Sequence, residues 1–360
     1  MKKIKEFLRR KDVLCSFQRY GIDALGAMAQ GLFCTLLVGT ILNTLGQQFA
    51  IGFLTREVAA GYTVGGLASA MVGPGIAIAI GFSLHCPPLV LFSLIPVGFA
   101  ANAMGGAGGP LSVYFVAIFA AECGKLVSKE TKIDILVTPI VTILAGIGVA
   151  SLIAAPIGRA ALAVGDFVKW ATVLQPFWMG ILVSVVIGMA LTLPISSAAI
   201  CAALSLTGLA GGAAVAGCCA QMVGFAVMSF RENRLGGLVA QGIGTSMLQM
   251  PNIVRNPRIW IPPTLASAIT GPLATCVFHL EMNGAAVSSG MGTCGFVGQI
   301  GVYTGWLADI AGGTKAAITP LDWAGMLLIC FILPGLLSWL ICTVLRKWGW
   351  IGPEDLKLEL

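Results

Sequence analysis

Residues 256–301 read NPRIWIPPTLASAITGPLATCVFHLEMNGAAVSSGMGTCGFVGQIG, an apolar, glycine-laced run that carries a histidine, a glutamate and an asparagine within five positions. An ionisable side chain at the centre of a membrane helix costs about 2.5–3.5 kcal/mol on insertion scales, so His279 and Glu281 are expected to face a cavity or a substrate, not lipid. The Asn283–Gly284 pair predicts a loosened helix end at this point.

The rest of the chain has the same character. At 57% hydrophobic and 10% charged over 360 residues, with a mean hydropathy of +0.93, it carries more apolar surface than a water-soluble core of ordinary size hides. The fold class expected is an all-α polytopic membrane protein. Forty-seven glycines and seventeen prolines are too many for plain lipid-facing helices; they suit close helix contacts and broken segments around an enclosed site. The eleven cysteines stand singly or, at Cys218–Cys219, adjacent. Neither pattern has metal-ligand spacing, so they read as small buried thiols, and no metal or cofactor is expected. With only His85 and His279, no phosphate-binding loop and no nucleophile–base spacing, autonomous catalysis is not expected either.

Apolar segments run over 22–45, 62–82, 88–101, 111–121, 133–155, 177–193, 196–209, 213–230, 235–250, 259–280, 285–307 and 323–345. A spanning helix needs roughly twenty residues, so the shorter segments predict half-helices or re-entrant hairpins and leave about eight to ten crossings. Lys2, Lys3, Lys5, Arg9, Arg10, Lys11 and Arg19 make residues 1–20 a basic segment. Beside a membrane span it reads as cytoplasmic and lipid-facing, not as a nucleic-acid site. Basic loops at Lys125, Lys129 and Lys132, at Arg231 and Arg234, and at Arg255 and Arg258, with Arg346 and Lys347 after the last span, place both termini in the cytoplasm. By parity, 235–250 must then dip in and return, and 285–307 must do so from the other side. Residues 1–350 form one membrane domain on this reading, followed by a tail, 351–360, too short to fold alone. AQGLFCTLL from Ala29 echoes AQGIGTSML from Ala240, and Pro87–Pro88 echoes Pro262–Pro263. The echo fits either two related halves or chance similarity between Gly/Ala-rich helices.

His279 and Glu281 diverge on a helix but share a face on an extended segment. A carboxylate accepts two hydroxyl hydrogens, and an amide or imidazole both donates and accepts, as a polyhydroxylated solute requires. Glu281 and Asn283 are therefore the leading binding candidates, with His279 beside them; the structural alternative is an interfacial cap for Glu281 and simple packing for His279. In GMGTCGFVGQIG, Gly290 and Gly292 admit either a ligand or a neighbouring helix, and Gln299 is the polar group placed for a site. In NAMGGAGGP, Asn102 takes the comparable place. Gln30, Asn43, Gln221, Gln241 and Gln249 are ordinary helix bridges unless they converge on one cavity.

At NPRIWIPPTLASAITGPLATCVF, preceded by GGLVAQGIGTSMLQMPNIV and AAVAGCCAQMVGFAVMSF, the sequence resembles the phosphotransferase-system enzyme IIC family. The branch is that of stand-alone membrane subunits that includes PfoR-type regulators, and the likeness is densest over 194–301. The resemblance implies a dimeric inner-membrane sugar permease without soluble IIA or IIB portions, which holds its sugar while a separate IIB protein, charged through IIA, phosphorylates it. It makes Glu281 and His279 plausible counterparts of the family's sugar-binding Glu and His, although the GITE-like string that usually marks that Glu is missing. A membrane-bound ligand sensor, and a transporter independent of phosphorylation in which Glu281 carries a proton, are the alternatives.

Single cysteines at positions 129 and 233, in a background without the native cysteines, are expected to resist an impermeant thiol reagent in intact cells and to react once the membrane is opened. Ready labelling of either from outside overturns the orientation.

Overall fold

The computed structural model describes residues 2–14 and 16–358, without the side chains of residues 2–5 and 48. The side chains of Lys2, Lys3 and Lys5 in the basic cluster, together with Met1, Cys15 and the last two residues of the 351–360 tail, lie outside the described residues. Among those described, every regular element is helical, since a helix satisfies its own backbone where water is absent. Five helices are long and apolar enough to cross a membrane, six with the pair Val64–Ala70 and Val72–Ser83, bent by 54°. The Pro88–Val127 helix is a hairpin of two, and Pro176–Thr192 is a shorter apolar helix. Counting each of these raises the total by one, to eight, the lower end of the expected range. The chain divides into two compact units, residues 1–160 and 161–360.

In the first unit, α1 (Lys2–Arg10) precedes α2 (Gln18–Gln47), which stays continuous through π-helical turns at Gln18–Asp23 and Phe33–Leu37. The Thr63 hydroxyl accepts from the Gly66 amide at 3.0 Å and so caps α3 (Val64–Ala70), which leads into α4 (Val72–Ser83). α5 (Pro88–Gly105) and α6 (Gly109–Val127) pack side by side because Gly106, at φ +51°, takes a backbone that ends the helix between them. α7 (Asp134–Ala171) begins in this unit. The helices meet backbone to backbone: a Cβ on Gly31 would lie 2.6 Å from the Gly75 carbonyl, and one on Gly73 2.2 Å from that of Gly98. Arg10 and Lys11 pair with Glu130 at 2.6 and 2.5 Å. Buried Lys125 donates to the carbonyls of Asp12 (2.8 Å) and Leu84 (3.2 Å) and sits 3.0 Å from Glu122, so a desolvated cation is surrounded by acceptors. The basic N-terminal segment and the Lys125–Lys132 loop thus lie on one side of the unit, as their charges led one to expect.

The second unit holds α8 (Pro176–Thr192), α9 (Ser197–Ala203), α10 (Gly208–Met228), α11 (Phe230–Val239), α12 (Met250–Arg255), α13 (Ile261–Pro272), α14 (Val297–Ala311) and α15 (Pro320–Lys347). α10 is its axis. Its apolar window is 89% buried, and α8, α13 and α15 all pack on it. The sequence GLAGGAAVAGCCAQMVGFAVM explains this, because small side chains let other backbones close on it from several directions. A Cβ on Gly217 would lie 1.8 Å from the Ser184 carbonyl of α8, and the Ser184 hydroxyl donates to the Ser267 carbonyl of α13 at 2.8 Å.

The two hairpins expected from charge parity are present. After α11 a π-helical turn at Ala240–Gly244, an extended Thr245 (φ −157°, ψ 143°) and a tight turn at Ser246–Gln249 bring the chain back into α12. The arms are joined by Gln249 Nε2 donating to Gln241 Oε1 at 2.9 Å. The chain's tail straps the open end: the side-chain amide nitrogens of Asn233 and Gln249 donate to the Leu356 carbonyl (2.7 and 2.9 Å), and that of Asn252 to Lys357 (2.8 Å). Ile351 and Leu356 are buried beneath it. The Arg231–Arg234 turn, the Arg255–Arg258 turn and the tail therefore share one side of this unit. Residues 285–307 enter from the other end of α10, through tight turns at Ala286–Gly290 and Cys294–Phe296, and return as α14. The tips of the two hairpins, Ala240–Gly244 and Cys294–Phe296, approach each other.

The AQG echo is not a structural repeat. From Ala29 the string lies within continuous α2, whereas from Ala240 it forms a hairpin tip, where Gly242, Gly244 and extended Thr245 break the helix. The proline pairs do match in placement, each at the first turn of a helix, α5 or α13.

Gly217→Ala is expected to destabilise the protein by about 1–3 kcal/mol, because a methyl group there must push α8 and α10 apart. Gly148→Ala, whose Cβ meets nothing within 4 Å, is expected to be neutral or slightly stabilising. Thermal unfolding of the two variants in detergent is the measurement.

Candidate functional site

The site begins with the glycines that open α10. A Cβ on Gly212 would lie 1.6 Å from the Leu280 carbonyl, so only glycine lets the extended residues after α13 lie directly on the helix. There Gly208 and Met282 exchange backbone hydrogen bonds at 3.1 and 3.0 Å. Extended geometry then sorts the side chains by alternation. Leu280 and Met282 enter the core beside Val215, Ala216 and Cys219, while Glu281 and Asn283 are half-buried and His279 is exposed. His279 holds φ +45°, a left-handed backbone uncommon outside glycine.

Asn283 organises what these residues can do. Its Nδ2 donates to Glu281 Oε2 at 3.0 Å and to Asp309 Oδ2, near the end of α14, at 2.9 Å; its Oδ1 accepts from the Gly208 amide at 3.1 Å. One amide thus spends its two hydrogens on two carboxylates and its oxygen on the first residue of α10. The second oxygen of each carboxylate accepts no hydrogen bond from any described residue. The positive end of the α10 dipole lies against this pair and favours its negative charge. Two acceptors tied together by one amide have the hydrogen-bonding capacity to receive neighbouring hydroxyl groups.

The other expected residues are placed elsewhere. Gly290 and Gly292 are buried packing positions: the Gly290 carbonyl accepts from the Ser197 hydroxyl at 2.7 Å, and a Cβ on Gly292 would lie 2.7 Å from that of Cys218. Gln299 is buried, with Nε2 3.2 Å from Cys219 Sγ and Oε1 without a partner among the described residues. Cys219 is eleven residues along α10 from Gly208, roughly 16 Å from the Asn283 contact, so Gln299 does not join the cluster. Asn102 belongs to the first unit, where it packs against Gly73 and Gly109. Gln221 is satisfied within the helix bundle by Trp260 Nε1 at 2.9 Å and Thr192 at 3.3 Å.

Asp309 is not among the residues that the sequence singles out. Its one signal was an acid within a helix of apolar character, at the far end of the hairpin that Asn283 opens.

Asn283→Ala is expected to lower stability by about 1–3 kcal/mol, because it removes the donor between two carboxylates and leaves the Gly208 amide one partner fewer. Adding Glu281→Gln to that variant is expected to recover part of the loss. Thermal unfolding of the double-mutant cycle reads the coupling, and strict additivity of the two changes overturns the arrangement.

No curated relative and no solved structure matches the chain. A family model, described as phosphotransferase system, EIIC, matches residues 22–358 and so covers both units, both hairpins, the acidic cluster and the described tail. The all-helical membrane architecture agrees with it, and the chain belongs to the phosphotransferase-system EIIC family, the integral-membrane sugar permease subunits that work with IIA and IIB proteins.

Proposed function

We propose that this permease subunit holds its sugar at the Glu281–Asn283–Asp309 cluster and carries it across the bacterial inner membrane by alternating access, as a homodimer with both termini in the cytoplasm. The observation that carries the reading is the Asn283 amide bridging two carboxylates at 3.0 and 2.9 Å while one oxygen of each stays open to a ligand. A carboxylate accepts from two hydroxyls at once, and bonds to a charged acceptor are the stronger kind. Exposed His279, two residues before Glu281, supplies a further donor or acceptor at the rim. Gly290, Gly292 and Gln299 support the site from behind by letting the 285–307 hairpin close on α9 and α10.

The chemistry falls to the partner. A IIB protein carrying a phosphoryl group transfers it to a hydroxyl of the bound sugar; the permease's part is to orient that hydroxyl and exclude water. No residue of this chain forms or breaks a bond in that step. Alternating access calls for elements that can shift without opening unsatisfied backbone to lipid, and the two broken hairpins against α10 answer that need.

Glu281→Gln keeps the shape of the side chain, removes its charge and turns one acceptor oxygen into a donor. At about 1.5–3 kcal/mol for a hydrogen bond to a charged group, sugar affinity is expected to fall roughly ten- to a hundred-fold while insertion and oligomeric state stay as in the parent. Asp309→Asn is expected to act in the same direction. The assay is binding of a sugar panel to purified protein, starting with the sugar that the parent binds most tightly. A normally folded Glu281→Gln variant with parental affinity makes Glu281 structural and removes the site.

A further inference from the structure

At the opposite end of α10 from the acidic cluster, a cavity of about 660 Å³ opens between the end of α10, α11 and α15. Its walls are divided by chemistry. Val227, Phe230, Leu238 and Trp339 make the apolar part, and Arg231, Arg234, Arg346 and Lys347 supply the cations. On α15, Trp339, Cys342, Thr343 and Arg346 follow at i, i+3, i+4 and i+7, so one helix face runs from an aromatic ring to a guanidinium. Phe230 and Trp339 are 40% and 49% exposed, more than a closed protein core allows.

The charges do not cancel. Arg346 is engaged by Glu232 at 2.6 Å, and that carboxylate is buried. Arg231, Arg234 and Lys347 are exposed, and among the described residues no carboxylate pairs with any of them. Arg234 also holds φ +52°, ψ −151°, a backbone that a non-glycine residue adopts only when its surroundings impose it. Three unneutralised cations at the mouth of an apolar cleft between membrane helices call for an anion attached to hydrocarbon.

We propose that this cleft binds an anionic glycerophospholipid, its phosphodiester among Arg231, Arg234 and Lys347 and the upper part of an acyl chain along Trp339 and Val227. An inorganic anion fills neither the apolar walls nor a volume in the range of sites for drug-sized ligands. An acidic protein surface satisfies the cations but leaves the apolar wall to water. Basic residues at the ends of membrane helices attract acidic lipid headgroups in just this way, and a half-exposed tryptophan is suited to the boundary between headgroup and chain.

The test is quenching of tryptophan fluorescence in mixed micelles by phosphatidylglycerol or phosphatidylcholine brominated on the acyl chains, with Trp339→Phe subtracted to isolate the Trp339 signal. The Trp339 component is expected to be quenched at lower mole fractions of phosphatidylglycerol, by roughly fivefold for each cation in contact. Arg231→Gln/Arg234→Gln/Lys347→Gln is expected to abolish the preference, and excess inorganic phosphate is expected to leave quenching unchanged. The exposed single changes Arg231→Gln and Lys347→Gln, each expected to lose roughly fivefold, decide the matter if the triple variant misfolds. An undiminished preference in these variants overturns the proposal. Displacement by inorganic phosphate assigns a free-anion site, and displacement by polyglutamate assigns an acidic protein partner; either result overturns it too. None of these readouts depends on sugar binding, so the outcome is separate from that of the Glu281 experiment.

Discussion

Broken backbone inside a membrane must be enclosed by protein, and in the second unit the enclosure rests on one helix with almost no side chains on several of its faces. α10 lets the Leu280 carbonyl lie where a Cβ of Gly212 would be and the Ser184 carbonyl where a Cβ of Gly217 would be. Contacts that close leave no space for lipid. The polar groups freed at the breaks are accounted for locally: the Leu280 amide reaches the Ala274 carbonyl at 2.8 Å, Met282 pairs with Gly208, and the Gly298 amide finds the Gly292 carbonyl at 2.9 Å. With these bonds made, the chain beyond α13 can leave its helix and present Glu281 and Asn283 on one face.

The features legible in the sequence were those set by composition and by spacing of two. Glycine density predicted the close packing, parity of basic loops predicted both hairpins, and the two-residue spacing predicted that an extended segment would bring Glu281 and Asn283 to one face, whereas His279 leaves that extended path with φ +45°. The features that were not legible depend on contacts distant in sequence. Asp309 meets Asn283 across 26 positions only because α14 returns to where its hairpin began. Gln299 looked like a ligand from its place in a glycine-rich string, yet that string packs its residues into α10 near Cys219. The tail reads as a loose end, but its carbonyls are held by Asn233, Gln249 and Asn252, residues whose amides gave no local sign of a common partner.

The two ends of α10 carry opposite charge, and the helix dipole favours the arrangement at both. Glu281 and Asp309 gather at its first residue, where unpaired amides leave roughly half a positive charge; Arg231, Arg346 and Lys347 gather near its last, where the dipole is negative. The helix of 21 residues keeps these regions roughly 30 Å apart. That separation divides the chemistry of the unit. Hydrogen-bond acceptors without hydrogens of their own gather at one end, and donors without acceptors at the other. The tips of the two hairpins meet part-way between these ends, beside Cys218 and Met222, and are built from turns instead of continuous helix. Each hairpin is held beyond its base as well: Ser246, just past the first tip, meets the Thr192 hydroxyl at 2.8 Å, and the Gly290 carbonyl of the second accepts from the Ser197 hydroxyl at 2.7 Å, so α8, α9 and α10 together enclose the broken backbone.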